Sequence, residues 1–487
     1  MALPSALVKN QLIKSCWLTQ PDNASDSFAV VDPATKQAFA WLPEQGETET
    51  LAAVERAADA FAEWRKTPAR KRSDLLFRWA MLVREYKHEL AILLSMEQGK
   101  PLSEALGEIE YGASYLHWFS EEAPRVYGDT IPATDGSKRI FVTKQPVGVV
   151  AAITPWNFPN AMLARKAGAA LAAGCTIVAK PAQETPLSAY ALQRLATMAG
   201  IPDGVFELVC GSDAAAIGQV LTTHKTIAKF SFTGSTKVGR LLAGQCSSTV
   251  KRLSLELGGN APFIVFNNAD IKQALDGLML AKFRNAGQTC VCVNRVLVQR
   301  EIYDEFAAQL AQRVSALKVG AGMAKGTDIG PLIHQRAAAN VNELVADAIA
   351  AGAEDITGSS NSFDNQTTSS FVQPRVLTKI TNSMAIAQQE IFGPIAVLIP
   401  FADEAEAVSL ANDTDYGLAS YVYTRDNAQL WRVAEQLEFG MVGMNDAAIS
   451  NPAAPFGGVK QSGYGREGSH YGLDDYLDIK YMSMGGL

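Results

Sequence analysis

The chain has few of the residues that build metal centres and disulfide frameworks. Six cysteines and five histidines are spread over 487 residues. Cys16, Cys175, Cys210 and Cys246 stand far apart, and only Cys290 and Cys292 are close. No Cys-x-x-Cys or His-x-x-x-His spacing occurs, so no metal site is expected, and a reducing compartment suits the thiols. Positive charge is also in deficit. Forty-three Lys and Arg against 50 Asp and Glu leave a net charge of −7. That balance gives no electrostatic footprint for nucleic acid or an anionic membrane. Long apolar runs are missing as well. The least polar stretch, Ala167 to Ala179, is interrupted by Gly168, Gly174 and Thr176 and is too short to span a bilayer. Met1 to Asn10 has no basic segment ahead of a long apolar one, so no secretory signal is read and a cytoplasmic protein is expected.

What remains is a large, apolar chain, 48% hydrophobic, long enough for more than one domain. Leu51 to Trp64 repeats its apolar residues at helical spacing, and Ser73–Tyr86 and Leu90–Glu97 also read as helices. From Pro146 strands and helices alternate. Strands are expected at Val147–Thr154, Thr176–Ala179, Val205–Val209 and Ile227–Phe232. Helices are expected at Leu163–Ala173, Leu187–Met198, Ala214–Thr222 and from Ser235. Repeated units of this length predict a parallel, doubly wound sheet with its site at the carboxyl ends of the strands. A second α/β region opens after Gly258-Gly259 with a strand at Pro262–Phe266 and a helix at Ile271–Phe283. Further helices are expected at Tyr303–Leu317, Ala338–Ala351 and Ala405–Asn412. Gly358 to Ser370 reads as a polar surface loop, and Tyr476 to Tyr481 as an edge strand that could pair with another subunit.

Two residues carry the chemistry. Cys290 follows Gly287-Gln-Thr289 and is a candidate nucleophile; Glu256, set in Leu255-Glu-Leu-Gly-Gly259, is a candidate general base of raised pKa. Each has a plain alternative: a small buried thiol, and a strand glutamate on a wet face. Phe232-Thr-Gly-Ser-Thr-Lys-Val-Gly239 follows a strand and opens a helix. Gly234 and Ser235 there suit a pyrophosphate, although the motif is neither Gly-x-Gly-x-x-Gly nor a P-loop. Lys180 ends a strand on the ligand edge, where it can reach a ribose or a 2′-phosphate. Thr154-Pro-Trp-Asn-Phe-Pro159 holds Asn157 between two prolines as a neutral amide donor for an oxyanion. Glu390-Ile-Phe-Gly-Pro394 and Pro455 to Gly463 read as loops.

These motifs, in this order over nearly the whole chain, resemble the NAD(P)-dependent aldehyde dehydrogenases. Within that superfamily the sequence looks most like the succinate-semialdehyde dehydrogenases, on Asn285 to Arg295, Asn157 to Arg165 and Gly465 to Tyr476. The resemblance implies a Rossmann-type doubly wound cofactor domain (1–126 and 147–257) and an α/β catalytic domain (258–450). It also implies a small β oligomerisation arm (127–146 and 451–487) and a homo-oligomer, dimer or tetramer. Cys290 would form a thiohemiacetal and then a thioester, Asn157 would meet the oxyanion, and Glu256 would activate the hydrolytic water. Thr154, Pro155, Trp156, Lys180, Gln183, Gly234, Ser235, Glu390 and Phe392 would contact NADP or NAD. Gln183 stands where NAD-preferring members often have Glu; being neutral, it does not repel a 2′-phosphate, so NADP is expected to be accepted. Cys292 stands where some relatives form a reversible disulfide with the nucleophile. Arg165, Arg284 and Ser450 would hold a distal carboxylate, which selects a short semialdehyde such as that of succinate. Glutarate semialdehyde, one methylene longer, fits the same set. A cysteine hydrolase or acyltransferase pairing Cys290 with His88, His117, His224, His334 or His470 is the competing reading.

Overall fold

The computed structural model describes residues 12–21, 26–358 and 369–486. Met1 to Asn10, and all but the ends of the loop expected at Gly358–Ser370, lie outside the described residues.

Two large open sheets form the body of the described chain. The first has six strands in the order Gly463–Tyr464, Arg252–Glu256, Ile227–Thr233, Val149–Ile153, Thr176–Lys180, Phe206–Leu208. All neighbours are parallel except Gly463–Tyr464, which runs antiparallel to Arg252–Glu256. Val149–Ile153 comes first in the chain yet sits mid-sheet, and the winding turns from one side of it to the other. The crevice beyond Ile153 and Thr233 is therefore the topological switch point, where such sheets bind ligands. The second sheet runs Glu354–Asp355, Arg375–Thr378, Ile395–Phe401, Val293–Gln299, Ala261–Val265, Ala419–Tyr423, Met441–Met444. It is parallel apart from the short Glu354–Asp355 strand at its edge.

Local chemistry sets the element ends. Helix Pro159–Ala173 has proline in its first turn and a left-handed Gly174 at its close, and helix Pro186–Ala199 repeats the device with Gly200. Both begin near the expected starts, extended by the proline turn. Asp213 and Asp270 cap the helices Ala214–Thr223 and Ile271–Phe283 through their carboxylates. Central strands such as Ala261–Val265 are apolar on both faces because helices cover both sides.

The C-terminal strand extends further than expected, over Leu477–Gly485, and pairs antiparallel with Lys138–Pro146 of its own chain. With Asp129–Ile131 these make a three-stranded arm whose outer strand has an open edge. Residues 451–476 do not run with this arm: Val459–Lys460 pairs with Tyr416–Gly417, and Gly463–Tyr464 joins the first sheet. Among the described residues no helix is long and apolar enough to cross a membrane.

Candidate active site

Strand Arg252–Glu256 ends at Glu256, and after four intervening residues strand Ala261–Val265 opens the second sheet. The carboxyl edge of one sheet thus faces the amino edge of the other. The connecting glycines have no room for a side chain. A Cβ on Gly258 would lie 2.7 Å from a Glu390 carboxylate oxygen, and one on Gly259 would lie 2.4 Å from the Cys290 carbonyl oxygen.

A cavity of about 280 Å³ occupies this junction. Its wall includes Cys290, Glu256 and Asn157 together with Trp156 and Phe392, whose rings meet edge to face at 5.6 Å. Pro155, Gly234, Ser235 and Glu390, with Thr233 of the Phe232–Ser235 stretch, complete the expected members of the wall; Met162, Leu257 and Gly258 line it too and were not anticipated from the sequence. Thr154, Lys180, Gln183, Arg165, Arg284 and Ser450 are not among the lining residues. Lys180 and Gln183 sit at and just beyond the end of strand Thr176–Lys180, two strands from Glu256's neighbour, with Gln183 exposed.

The approach to Cys290 is a turn held in an uncommon shape. Asn285, Ala286 and Gly287 all have positive φ, at 53°, 55° and 77°. Non-glycine residues persist there only when neighbours over-determine them. The Asn285 N–H donates to Glu104 (2.7 Å), and its side-chain amide donates to the Asn157 carbonyl (3.0 Å). Gln288 donates to the Asn285 carbonyl and accepts from the Ile333 N–H. The Asn157 amide is fixed from both ends: its NH₂ donates to the Gln288 carbonyl at 3.0 Å, and its oxygen accepts from the Phe158 N–H at 3.1 Å. One of its two N–H protons is therefore free for a ligand. Beneath it, the buried Lys100 ammonium donates to the Asn157 carbonyl (2.8 Å) and pairs with Glu108. Glu108 in turn accepts from the N–H groups of Asn160 and Ala161 at the start of helix Pro159–Ala173.

Glu256 is only 3% exposed, which excludes a wet-face glutamate, and its Oε2 has no hydrogen-bond partner. Burial raises its pKa well above the carboxylate range, the nearby Glu467 raises it further, and Arg165, Lys166 and Arg466 oppose the rise. Burial also pushes the Cys290 thiol up to about 12, while Arg165 and Arg284 pull it down. The thiol keeps an open side on the cavity, so water entering there moderates the rise. Glu390 accepts from the Gly259 N–H at 3.1 Å and is pushed up to about 7 by burial. Cys292 faces away from the cavity. Its sulfur accepts from the buried Lys282 ammonium at 3.5 Å, and both cysteines are free thiols.

Arg165 is not a surface residue. It is fully buried, with Nε 2.5 Å from Glu467 Oε2 but misaligned for a hydrogen bond, and its guanidinium stacks on Phe456 at 4.3 Å. Its charge already has an acidic partner. Arg284 is half-buried, lies 5.3 Å over the Phe158 ring and acts electrostatically on the Cys290 thiol. Ser450 is partly buried, six residues past the end of strand Met441–Met444. No histidine lines the cavity. His334, for example, caps helix Gln335–Ala350 by accepting from the Ala337 N–H.

The junction also suits a dinucleotide. Gly234 and Ser235 present the start of helix Thr236–Cys246 at the switch point, and the Thr154 and Thr233 hydroxyls beside it are buried without partners. A doubly wound sheet joined to a second α/β sheet, with a thiol and a buried carboxylate on one cavity beside its switch-point crevice, is the arrangement of a dinucleotide-dependent oxidoreductase. Residues 19–482 match the aldehyde dehydrogenase family, and the chain belongs to it. It is 53% identical, over 99% of its length and 98% of that protein's, to a Pseudomonas putida 3-sulfolactaldehyde dehydrogenase. It is 51% identical, over 97% of each chain, to the Escherichia coli (strain K12) succinate-semialdehyde dehydrogenase (NADP(+)). The crystal structure of succinate-semialdehyde dehydrogenase from Burkholderia pseudomallei superposes with a TM-score of 0.93 at 52% identity, covering 100% of both chains.

Proposed function

We propose that this aldehyde dehydrogenase oxidises a short aldehyde carrying a distal anion, with succinate semialdehyde as its substrate and NADP or NAD as its cofactor. The observation that carries this reading is the convergence of Cys290, Glu256 and Asn157 on one cavity, with the half-buried cation Arg284 acting on the same thiol. Cys290, ionised on its open side, attacks the aldehyde carbon. The free N–H of Asn157 and the Cys290 backbone N–H meet the resulting oxyanion. When bound, the dinucleotide would accept the hydride that leaves the former aldehyde carbon. Cys290 then carries the acyl group as a thioester, and Glu256 takes a proton from the water that hydrolyses it. Gly234, Ser235 and the free threonine hydroxyls hold the phosphate end of the cofactor. Lys180 and Gln183 reach its ribose end, and Glu390 and Phe392 the nicotinamide end. Gln183 adds no negative charge against a 2′-phosphate, which favours acceptance of NADP.

Glutarate semialdehyde and 3-sulfolactaldehyde share the same pair of groups, an aldehyde and a distal anion. A pocket distinguishes one methylene by only about 1–3 kcal/mol. The 53% identity to a protein named for the sulfonate substrate keeps that aldehyde in view. The test is a steady-state panel of succinate, glutarate and sulfonate-bearing aldehydes against butanal, each with NAD and with NADP. Highest kcat/KM on butanal removes the distal-anion reading. The open strand Leu477–Gly485, with Ile479 and Tyr481 at 74% and 62% exposure, supports a homo-oligomer built through the arm. Light scattering of the chain and of an Ile479→Asp/Tyr481→Asp variant checks it.

A further inference from the structure

Helix Lys87–Gln98 stops at a left-handed Gly99, and Pro101 stands ahead of the next helix, Leu102–Glu122. Lys100 is held in the break between them. Glu104 and Glu108 follow on one face of the second helix, one turn apart. Lys100 and Glu108 are buried, at 1% and 3% exposure, a costly place for charge unless each group is closely paired. Their partners lie on the two turns that supply the proposed oxyanion donors. The Lys100 ammonium stands 2.5 Å from Glu108 Oε2 and donates to the Asn157 carbonyl at 2.8 Å. Glu108 Oε1 accepts from the Asn160 and Ala161 N–H groups at 3.0 and 3.3 Å, just past Asn157. Glu104 Oε2 accepts from the Asn285 N–H at 2.7 Å, in the turn that leads to Cys290. The two turns also lock onto each other. Asn285 donates its amide to the Asn157 and Gln288 carbonyls (3.0 and 3.2 Å), and Asn157 donates its own to Gln288 (3.0 Å).

We propose that Lys100, Glu104 and Glu108 form an ionic strut that sets the spacing between the Asn157 side-chain amide and the Cys290 backbone N–H. They are positioning residues for the oxyanion, and none of the three lines the cavity. The inference rests on the assignment of those two N–H groups to the oxyanion. Such donors act only when preset at about 2.7–3.1 Å from the place the oxyanion will take. Here they come from different sheets: Asn157 follows strand Val149–Ile153 of the first, and Cys290 precedes strand Val293–Gln299 of the second. Helix Leu102–Glu122 grips both, through Glu108 on one side and Glu104 on the other. Its start is tied to the second half as well. The Leu102 N–H donates to the Gly322 carbonyl at 3.0 Å, and a Cβ on Gly322 would lie 2.3 Å from the Lys100 carbonyl oxygen. The turn that Glu104 holds contains the positive φ angles of Asn285, Ala286 and Gly287, a shape that relaxes when a neighbour fixing it is lost. The charges facing Glu104 are Lys100, Arg284 and Glu108, so two cations meet two carboxylates and the cluster is balanced where it stands. The helix-start N–H groups that Glu108 accepts favour its negative charge further.

The test compares two reactions of the same thiol, each followed by peptide mass at Cys290. p-Nitrophenyl acetate acylates the thiol without a dinucleotide: the C–S bond forms through a tetrahedral oxyanion, and p-nitrophenolate leaves with the C–O electron pair. Iodoacetamide alkylates it by direct displacement of iodide, and no oxyanion arises. Neither reagent carries a distal anion, so substrate recognition by Arg284 does not enter. The quantity measured is the ratio of acylation to alkylation rate, with thermal midpoints as controls. Glu104 is half-buried, and its replacement leaves no buried charge unpaired. The double variant Lys100→Met/Glu108→Leu removes the buried pair as a unit for the same reason. Glu104→Ala and the double variant should each lower the ratio roughly tenfold or more, short of the 10²–10³ lost when a donor is removed outright. Glu104→Gln, whose amide oxygen still accepts from the Asn285 N–H, should keep most of it. In an Asn157→Ala background, Glu104→Ala should lower the ratio little further, because no spacing is left to set. A wild-type ratio in both Glu104→Ala and the double variant overturns the strut, whether both rates are kept or both fall together. Losses that multiply in the Asn157→Ala background overturn it too. If Asn157→Ala itself keeps the wild-type ratio, the fault lies in the oxyanion assignment and not in the strut alone.

Discussion

Replacing each of the two arginines by alanine separates their roles. Arg284 is half-buried and has no ion-pair partner among the described residues, whereas Arg165 is fully buried against Glu467. Losing a charge-assisted bond to a substrate anion costs about 1.5–3 kcal/mol, which is roughly ten- to 150-fold in kcat/KM. Arg284→Ala should therefore lose that factor on succinate semialdehyde, mostly through KM, and change little on butanal or in thermal midpoint. Breaking a buried pair costs about 3–5 kcal/mol because one charge is left uncompensated. Glu467 keeps Lys166 as a partner, so Arg165→Ala should sit at the lower end of that range. It should lower the thermal midpoint and impair both aldehydes alike, since Arg165 helps to hold down the Cys290 and Glu256 pKa values. Lys at position 284 should recover only part of the lost affinity, because a point charge lacks the planar fork. The assays are kcat/KM on the two aldehydes and thermal denaturation of each variant. Equal losses on both aldehydes for Arg284→Ala would refute anion recognition by Arg284. Selective loss on succinate semialdehyde for Arg165→Ala, with unchanged stability, would show that the buried pair opens to substrate.

Glu256→Gln should still give the first burst of reduced dinucleotide and then stall, whereas Cys290→Ala should give no burst; stopped-flow absorbance distinguishes them, and a normal second turnover in Glu256→Gln would exclude its role as base. The same substitution should stabilise the protein at pH 8. A carboxyl whose folded pKa is raised loses stability as pH rises from its unfolded value near 4.5, so the gain in thermal midpoint should shrink below about pH 4.5 and should vary with Glu467, Arg165, Lys166 and Arg466, which face it. Thioester hydrolysis should rise with pH above the ordinary carboxylate range, because Glu256 must shed its proton to act; a rate already at its plateau where free carboxylates ionise would count against a raised carboxyl. Gly287→Ala should destabilise by at least about 1–2 kcal/mol from its left-handed backbone and should lower activity. Its new Cβ would stand 2.2 Å from the Gly393 carbonyl oxygen and displace the turn that leads to Cys290; unchanged activity would show that the turn does not hold the nucleophile in place.

The first sheet was readable because its punctuation is local. Prolines open helices Pro159–Ala173 and Pro186–Ala199, and glycines close them, so the alternation that predicts a doubly wound sheet survives in a single sequence. Strands such as Ile395–Phe401 and Ala419–Tyr423 were not anticipated, because short apolar runs buried on both faces carry no period to read. The same limit hid the direction of Arg165. Every residue of helix Pro159–Ala173 is buried, so no polar stripe tells which side chain meets the cavity and which meets Glu467. Glu467 itself arrives from a segment more than 200 residues beyond Glu256, and only tertiary structure brings the two carboxylates together. The polar face of strands Ile227–Thr233 and Arg252–Glu256 was legible in principle. Lys229, Ser231 and Thr233, then Ser254 and Glu256, alternate with apolar residues at a period of two, which ordinarily marks a face in water.

Cys290 lies in the turn ahead of strand Val293–Gln299 of one sheet and Glu256 ends a strand of the other, and the chain passes from the first sheet to the second in four residues, Leu257 to Asn260. Neither half therefore holds both groups of the proposed chemistry. Two glycines in that tether admit no side chain, and the surfaces they touch, Glu390 and the Cys290 carbonyl, belong to the second half. A chimera joining the first half of one relative to the second half of another would have to match at this seam to within a fraction of an ångström before its thiol and carboxylate could share a substrate. Exchange between lineages is thus constrained to whole chains or to loops remote from the seam, and a change of aldehyde preference is more accessible by altering the cavity wall than by recombining halves.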